Sequence, residues 1–410
     1  MWLLDKMLAS YVKRGELTVV DANGKTYRYG APDPEFRAVT VRLADRGVVR
    51  KIATDPGLGA AEAYMDGRLI VEDGDILDLV NIIRGSHKWE DSAGSNKFLR
   101  KGTRLRNLMS QINWRERSER NVAHHYDVGN DFYRLFLDKD LQYSCGYFTD
   151  PANSVEQAQL DKKTHLASKM RLEPGMRVLD IGCGWGGLAL YLNRVAGVEV
   201  LGITLAKEQL EVARQRAAEA GVADKVRFEL MDYRELTGTF DRIVSVGMFE
   251  HVGQPHFRTY FRKVRALLAD EGIAIVHFMG RLGGPGTTDK FMLKYIFPGG
   301  YLPALSEAVA ASEQAKLIMA DCETWRLHYV YTIRDWYDRF RAHRAEIVGM
   351  YDERFYRLWQ FYLAVSLTMF RDAPMGVYQI QYLKRRDATP IVRDYMFSEE
   401  TRLRAIAGDP

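Results

Sequence analysis

Cysteine is scarce. The 410-residue chain has three, Cys145, Cys183 and Cys322, widely spaced and odd in number. That excludes a disulfide framework and matches no metal-ligand spacing, so no metal is expected and a reducing cytoplasm is. Long apolar runs are also missing. The longest, near Phe361 to Phe370, is about half the roughly 20 residues needed to span a bilayer, so no integral membrane segment is expected. Asp5 and Lys6 interrupt the N-terminal apolar stretch, which therefore lacks the h-region of a secretory signal. No sign of charge dominates: 58 Lys and Arg face 54 Asp and Glu, and a net charge of +4 is too mild to identify a partner. No internal repeat or long low-complexity segment occurs. The length leaves room for one large domain and a smaller one.

What is present begins with Val178-Leu-Asp-Ile-Gly-Cys-Gly-Trp-Gly-Gly187. An apolar strand ends in an acid, a glycine-rich turn follows, and a helix starts near Leu188. Gly182 and Gly184 carry no Cβ, so the backbone of the turn can approach a nucleotide closely. The string is no P-loop, because no Gly-Lys-Ser/Thr follows. It is no NAD site either. The second strand, Val198 to Ile203, ends in Thr204 with Gln209 a helical turn on, where a ribose-binding acid would stand. The remaining common reading is S-adenosylmethionine (SAM) in a class I methyltransferase.

Elements alternate from there: strand 177–181, helix 187–195, strand 198–203, helix 207–219, strands 225–230 and 240–246, helix 256–268 and strand 272–277. This is a doubly wound, Rossmann-like α/β sheet. Ahead of it, residues 17–55 alternate apolar and polar around Asn23-Gly24, a hairpin signal. Strands are expected at 17–21, 26–29, 39–43 and 48–52, then helices at 58–65 and 77–83, making a small N-terminal α+β domain. The expected domains are 1–90, a connector at 91–120 and a catalytic domain at 121–410. Residues 85–97 are polar and breaker-rich.

In the connector, Leu105, Leu108, Met109 and Ile112 share a helical face, while Lys97, Arg100, Lys101, Arg104, Arg106, Arg115, Arg117 and Arg120 outnumber Glu116 and Glu119. Such a helix suits either an anionic membrane or packing on the protein surface. After residue 300 aromatics crowd in: Trp336, Tyr337, Phe340, Phe355, Tyr356, Trp359, Phe361 and Tyr362. They suit helical core packing, or the lining of a lipid channel.

Asp232 follows the third strand, a place that in a SAM fold suits an acceptor for the adenine amino group, with Tyr233 able to lie on the ring; an N-cap or surface acid is the alternative. Thr204 and Gln209 would serve the ribose. Further candidates are Tyr143 to Tyr147, the segment Ser245 to Gly253 with Glu250, and His277 after an apolar strand. A single His or Cys is more often structural than catalytic. Together, however, His125-Tyr-Asp-Val-Gly-Asn130, Gln142-Tyr-Ser-Cys-Gly-Tyr147, the glycine loop, Val246-Gly-Met-Phe-Glu-His-Val-Gly253, Lys294-Tyr-Ile-Phe-Pro-Gly-Gly300 and Glu62-Ala-Tyr-Met-Asp-Gly67 resemble the cyclopropane-fatty-acyl-phospholipid synthases over nearly the whole chain.

That resemblance implies a cis alkene of a membrane phospholipid attacking the SAM methyl group, leaving a carbocation from which bound bicarbonate takes a proton as the ring closes. It implies a bicarbonate cradle of Cys145, Glu250, His277 and Tyr329, with main-chain contact at Met279. Tyr331 competes with Tyr329, and His277-Phe-Met-Gly280 departs from the commoner His-Thr-Ile-Gly. It implies SAM contacts at Tyr143, Ser144, Gly182, Thr204, Leu205, Gln209, Asp232 and Tyr233. Peripheral attachment to the inner membrane face follows, with no nucleic-acid partner and a homodimer left open. A C-methyltransferase with a branched or methylene product, an inactive lipid-binding protein and an RNA methyltransferase are the competing readings. The intact Cys145, Glu250 and His277 oppose the inactive reading. The basic cluster, which lies in the connector and not in the catalytic domain, opposes RNA.

Overall fold

The computed structural model describes residues 1–85, 87–91 and 128–407. The basic stretch 97–120 and residues 125–127 of the His125 motif lie outside the described residues. The chain forms two units. The first comprises the described residues of Met1–Leu99 with Asp289–Ile296 and Ile333–Pro374. The second comprises those of Arg100–Thr288 with Phe297–Thr332 and Met375–Pro410.

In the first unit, β1 (Leu17–Val20), β2 (Thr26–Tyr29), β3 (Val39–Leu43) and β4 (Leu69–Asp73) form a sheet in the order β2-β1-β3-β4. The β1–β2 hairpin turns where Asn-Gly predicts it. Gly24 sits at φ +81°, and Asp21 Oδ1 accepts from the N–H groups of Asn23 and Lys25 at 2.9 and 3.1 Å. Residues 48–52 are a correction: they are not a strand but lie within the helix Arg46–Thr54. Asp45 caps it by accepting from Gly47 N and Val48 N, and Val48, Val49 and Ile52 point into the core at helical spacing. The β-branched residues suggest a strand, but the cap and the burial of one helical face outweigh that weak propensity. The aromatic residues of 333–374 pack in this unit. Trp336, Tyr337, Phe340, Tyr356, Trp359, Phe361 and Tyr362 are buried, and Tyr64 Oη donates to Gln360 Oε1 at 2.6 Å.

The second unit is built on a seven-stranded sheet: β5 (Arg177–Ile181), β6 (Glu199–Thr204), β7 (Val226–Leu230), β8 (Phe240–Val246), β9 (Leu268–Arg281), β10 (Ile318–Trp325) and β11 (Met375–Leu383). The order is β10-β11-β9-β8-β5-β6-β7; β5 to β9 run parallel, and β11 is antiparallel to both β9 and β10. This is the class I methyltransferase sheet, mixed by virtue of β11. The order reverses at β5, so a crevice opens above the carboxyl ends of β5 and β8, the place where such sheets bind ligands. Helices Gly187–Ala196, Lys207–Glu219 and Phe257–Leu267 follow the strands as read, while β9 is longer than the expected 272–277.

The glycine turn is held by close packing. Gly186, at φ +82°, precedes the helix Gly187–Ala196, and a Cβ there would fall 2.6 Å from Phe228 Cζ. Gly186→Ala is expected to lower stability by about 1–3 kcal/mol, combining backbone strain with overpacking. Gly175→Ala has similar φ (+81°) but nothing within 4 Å, and should lose less. Chemical denaturation of both variants checks this; equal losses would mean that packing around Phe228 adds nothing.

Candidate active site

The turn after β5 is stapled to β6, since Gly182 N and Cys183 N both donate to Ile203 O, at 2.9 and 3.0 Å. Three glycines in it, Gly182, Gly184 and Gly186, take positive φ. Opposite stands the segment 142–144. It is anchored by the helix Val155–Met170, whose Gln159 Nε2 donates to Ser144 O at 2.8 Å and to Gln142 O at 3.3 Å. Between them lies a cavity. Its wall contains Tyr143, Ser144, Gly182, Gly184, Thr204, Leu205, Gln209, Asp232 and Tyr233, all nine residues that the sequence reading assigns to the cosubstrate. Asp232 is 4 % exposed and already gripped: Oδ1 accepts from Arg234 N and Nε, both at 2.9 Å, and Oδ2 from Nη2 at 2.5 Å. Thr204 Oγ1 accepts from Ala206 N at 3.1 Å, which shapes the turn after β6. Tyr233 rests edge-on against Tyr260.

The five residues of the second constellation are not in that wall. They form two groups. Glu250 Oε1 accepts from Met279 N at 2.6 Å, and Gly247 N donates to His277 O at 2.9 Å, so the ends of β8 and β9 hold Glu250, Met279 and His277 together. Cys145 and Tyr329 belong to two segments stitched to each other. Gly146 N donates to Thr332 Oγ1 and Phe148 N to His328 Nδ1, each at 3.0 Å. Trp325 spans the groups, with its ring 4.9 Å from His277 and 4.9 Å from Tyr147. Tyr329 is 6 % exposed whereas Tyr331 is 39 % exposed against Phe148, so the buried tyrosine is Tyr329.

Burial sets the protonation here. It pushes Glu250 up to about 7 against the opposing Met279 N–H, and Glu250 Oε2 has no hydrogen-bond partner among the described residues. His277 is driven well below its ordinary value by burial, then by the positive charges of Lys162 and Lys169, and is a neutral imidazole. Burial raises the Cys145 thiol, which stays protonated and is no nucleophile.

Three residues escaped the assignment from sequence. Lys162, Asp180 and His251 all line the cavity. Burial pushes Asp180 up to about 7, pulls His251 down to about 4 and pulls Lys162 down to about 8. Asp180 and His251 stand inside quoted motifs and were legible as candidates. Nothing in the local pattern marks Lys162.

Residues 113–380 match the family described as mycolic acid cyclopropane synthetase. The chain belongs to this family. It is 37 % identical over 345 residues to the cyclopropane-fatty-acyl-phospholipid synthase of Escherichia coli, covering 83 % of this chain and 87 % of that protein. To a probable fatty acid methyltransferase of Pseudomonas putida it is 42 % identical over 271 residues, 64 % of this chain and 68 % of that one. Among solved structures, the mycolic acid cyclopropane synthase CmaA1 complexed with SAH and CTAB superposes with a TM-score of 0.62 at 30 % identity, covering 64 % of this chain and 97 % of that chain. Coclaurine N-methyltransferase, at 17 % identity and a TM-score of 0.66 over 80 % of this chain and 99 % of that chain, shares the fold alone. As a member of the cyclopropane synthetase family the chain is a SAM-dependent methyltransferase. The cavity fits that cosubstrate. Gly184 leaves space where a Cβ would meet nothing within 4 Å, and the wall offers buried carboxyls at Asp180 and Asp232.

Proposed function

We propose that the enzyme adds a methylene group to the cis double bond of an acyl chain in a membrane phospholipid, closing a cyclopropane ring. SAM supplies an electrophilic methyl group on a sulfonium, and bicarbonate supplies the base. In this reading Tyr143, Ser144, Gly182, Gly184 and Leu205 shape the SAM pocket. Thr204 and Gln209 meet the ribose hydroxyls, Asp232 takes the adenine amino group through lone pairs not used by Arg234, and Tyr233 covers the ring.

The observation that carries the ring-closing step is Glu250, buried, bonded to Met279 N through one oxygen and with the other unpartnered among the described residues. That second oxygen, a neutral His277, a protonated Cys145 and Tyr329 make a receptor for a small anion that itself carries an O–H. Glu250 accepts that O–H and so turns a basic oxygen toward the transferred methyl group. Burial of all four side chains keeps out bulk water, which would otherwise trap the cation as an alcohol. The relative named as a fatty acid methyltransferase favours a second reading, a methyl-branched product. Incubation with cis-unsaturated phospholipid and labelled SAM, followed by NMR of the lipid, separates the two. Ring protons are expected; a labelled branch without them would reject ring closure.

The ionised form of Glu250 is the working one, and burial holds its carboxyl near 7. At fixed bicarbonate, turnover should therefore rise as pH passes upward through about 7. Glu250→Gln should lack that limb and lose about 10²–10⁴ in rate, with SAM affinity unchanged. Carbonate-free buffer should slow the wild type and added bicarbonate restore it. Full turnover without carbonate, or a fully active Glu250→Gln enzyme, assigns the proton to another base.

We also propose that the enzyme acts as a peripheral protein on the inner face of the membrane. No helix among the described residues is long and apolar enough to cross a membrane. The basic stretch 97–120 supports reversible attachment to anionic lipid, at about 1 kcal/mol per basic residue reaching the surface. Vesicle sedimentation should show binding that fades with salt and with charge reversal of Arg100, Lys101 and Arg104. Undiminished binding by the reversed variant removes this segment from the interface.

A further inference from the structure

The helix Val155–Met170 carries two adjacent lysines with different surroundings. Lys163 Nζ pairs with Asp140 at 2.5 Å, and Asp140 also binds Arg216. Lys162, 1 % exposed, has only neutral hydrogen-bond partners among the described residues: Nζ donates to Gln142 Oε1 at 2.9 Å and to Ser144 Oγ at 2.8 Å. Gln142 is held in that orientation because its Nε2 donates to Asp140 Oδ2 at 3.0 Å. An ammonium has three donors, so one N–H of Lys162 is unspent. In the wall of the same cavity, Asp180 is 2 % exposed and its Oδ2 has no partner among the described residues. A buried cation and a buried carboxyl, each with an unused hydrogen-bonding direction, are costly to leave so. The group that completes both carries a carboxylate and an ammonium side by side.

We propose that Lys162 binds the α-carboxylate at the amino-acid end of the methyl donor and thereby selects ligands that carry it. This rests on the SAM reading of the cavity and adds to it a residue that discriminates one end of the cosubstrate. Asp180 faces the ammonium of the same end. The charge on Lys162 is adjustable. Burial and then Lys163 on its own helix lower its value, Asp138 and Asp140 on the segment beside it hold it up, and it comes to about 8. Asp180 at the end of β5 and His277 on β9 are its other titratable neighbours. Carboxylate binding should accordingly weaken as pH rises past about 8.

The test is calorimetric titration of the full chain with two ligands. S-adenosylhomocysteine keeps the amino-acid end; 5′-methylthioadenosine keeps the adenosine and thioether but lacks that end. Lys162→Met should lose about 10–100-fold in affinity for the first, the worth of a hydrogen bond to a charged group, and leave the second unchanged. Binding of methylthioadenosine also reports that the variant is folded. A second measurement is the pH dependence of the affinity ratio, S-adenosylhomocysteine over methylthioadenosine: between pH 7 and pH 9, on either side of about 8, the wild-type ratio should fall relative to that of Lys162→Met, which keeps Asp180 and the ligand's own ammonium but lacks the lysine charge. Equal losses for both ligands would make Lys162 a wall residue only, and the same pH dependence in both proteins would remove its charge from recognition. Either result overturns the proposal. A wild type that binds neither ligand would instead sink the SAM reading itself.

Discussion

The charges carried by one buried helix have to be satisfied, and much of the second unit is arranged around that need. Of the 16 residues of Val155–Met170, 13 are buried, among them Asp161, Lys162, Lys163, His165 and Lys169. An unpaired ion is costly in such a place. Lys169 reaches Glu323 at 2.9 Å on β10 and Gln379 on β11. His165 sits between Glu323 and Glu400, at 2.8 and 2.9 Å, and Asp161 takes Arg404 of the C-terminal helix Asp394–Ala407. Despite its burial Glu323 stays ionised well below the usual carboxylate range, because His165 and Lys169 hold its charge. Each pair joins this helix to a distant part of the chain.

The same helix builds the site. Its Gln159 and Lys162 fix residues 142–144, which form one wall of the cavity. The glycine turn, stapled to β6, forms the other. Polar groups that cannot move cost little to reorganise when a ligand arrives, which is how a cavity binds a charged nucleoside tightly. The second constellation is held differently, by main-chain bonds from the ends of β8 and β9 and by the stitched segments around Cys145 and Tyr329. The cavity and the second constellation thus rest on separate supports.

Much of this was legible locally. Val178 to Gly187 reads as strand, turn and helix because the apolar run, the glycines and the following helical period all agree, and strand 240–246 and helix 207–219 fall where the pattern places them. Residues 48–52 misled because β-branched side chains favour a strand, while the cap at Asp45 and burial at helical spacing decided for a helix. The segment 333–374 follows the strand-and-helix pattern in sequence, yet it packs in the first unit. Chain order carries no information on which core will take an aromatic helix.

By itself the sequence determined the fold class, the methyl-donor loop and the motifs that identify the family, because each of these depends on residues close together in the chain. Only the tertiary structure decided that Tyr329 and not Tyr331 is the buried tyrosine, that Arg234 already occupies Asp232, and that Glu250 keeps one oxygen without a partner among the described residues. It also separated Lys162 from Lys163. The two are neighbours of the same type, and no local pattern distinguishes them. What distinguishes them is that Asp140, far away in sequence, reaches one and not the other.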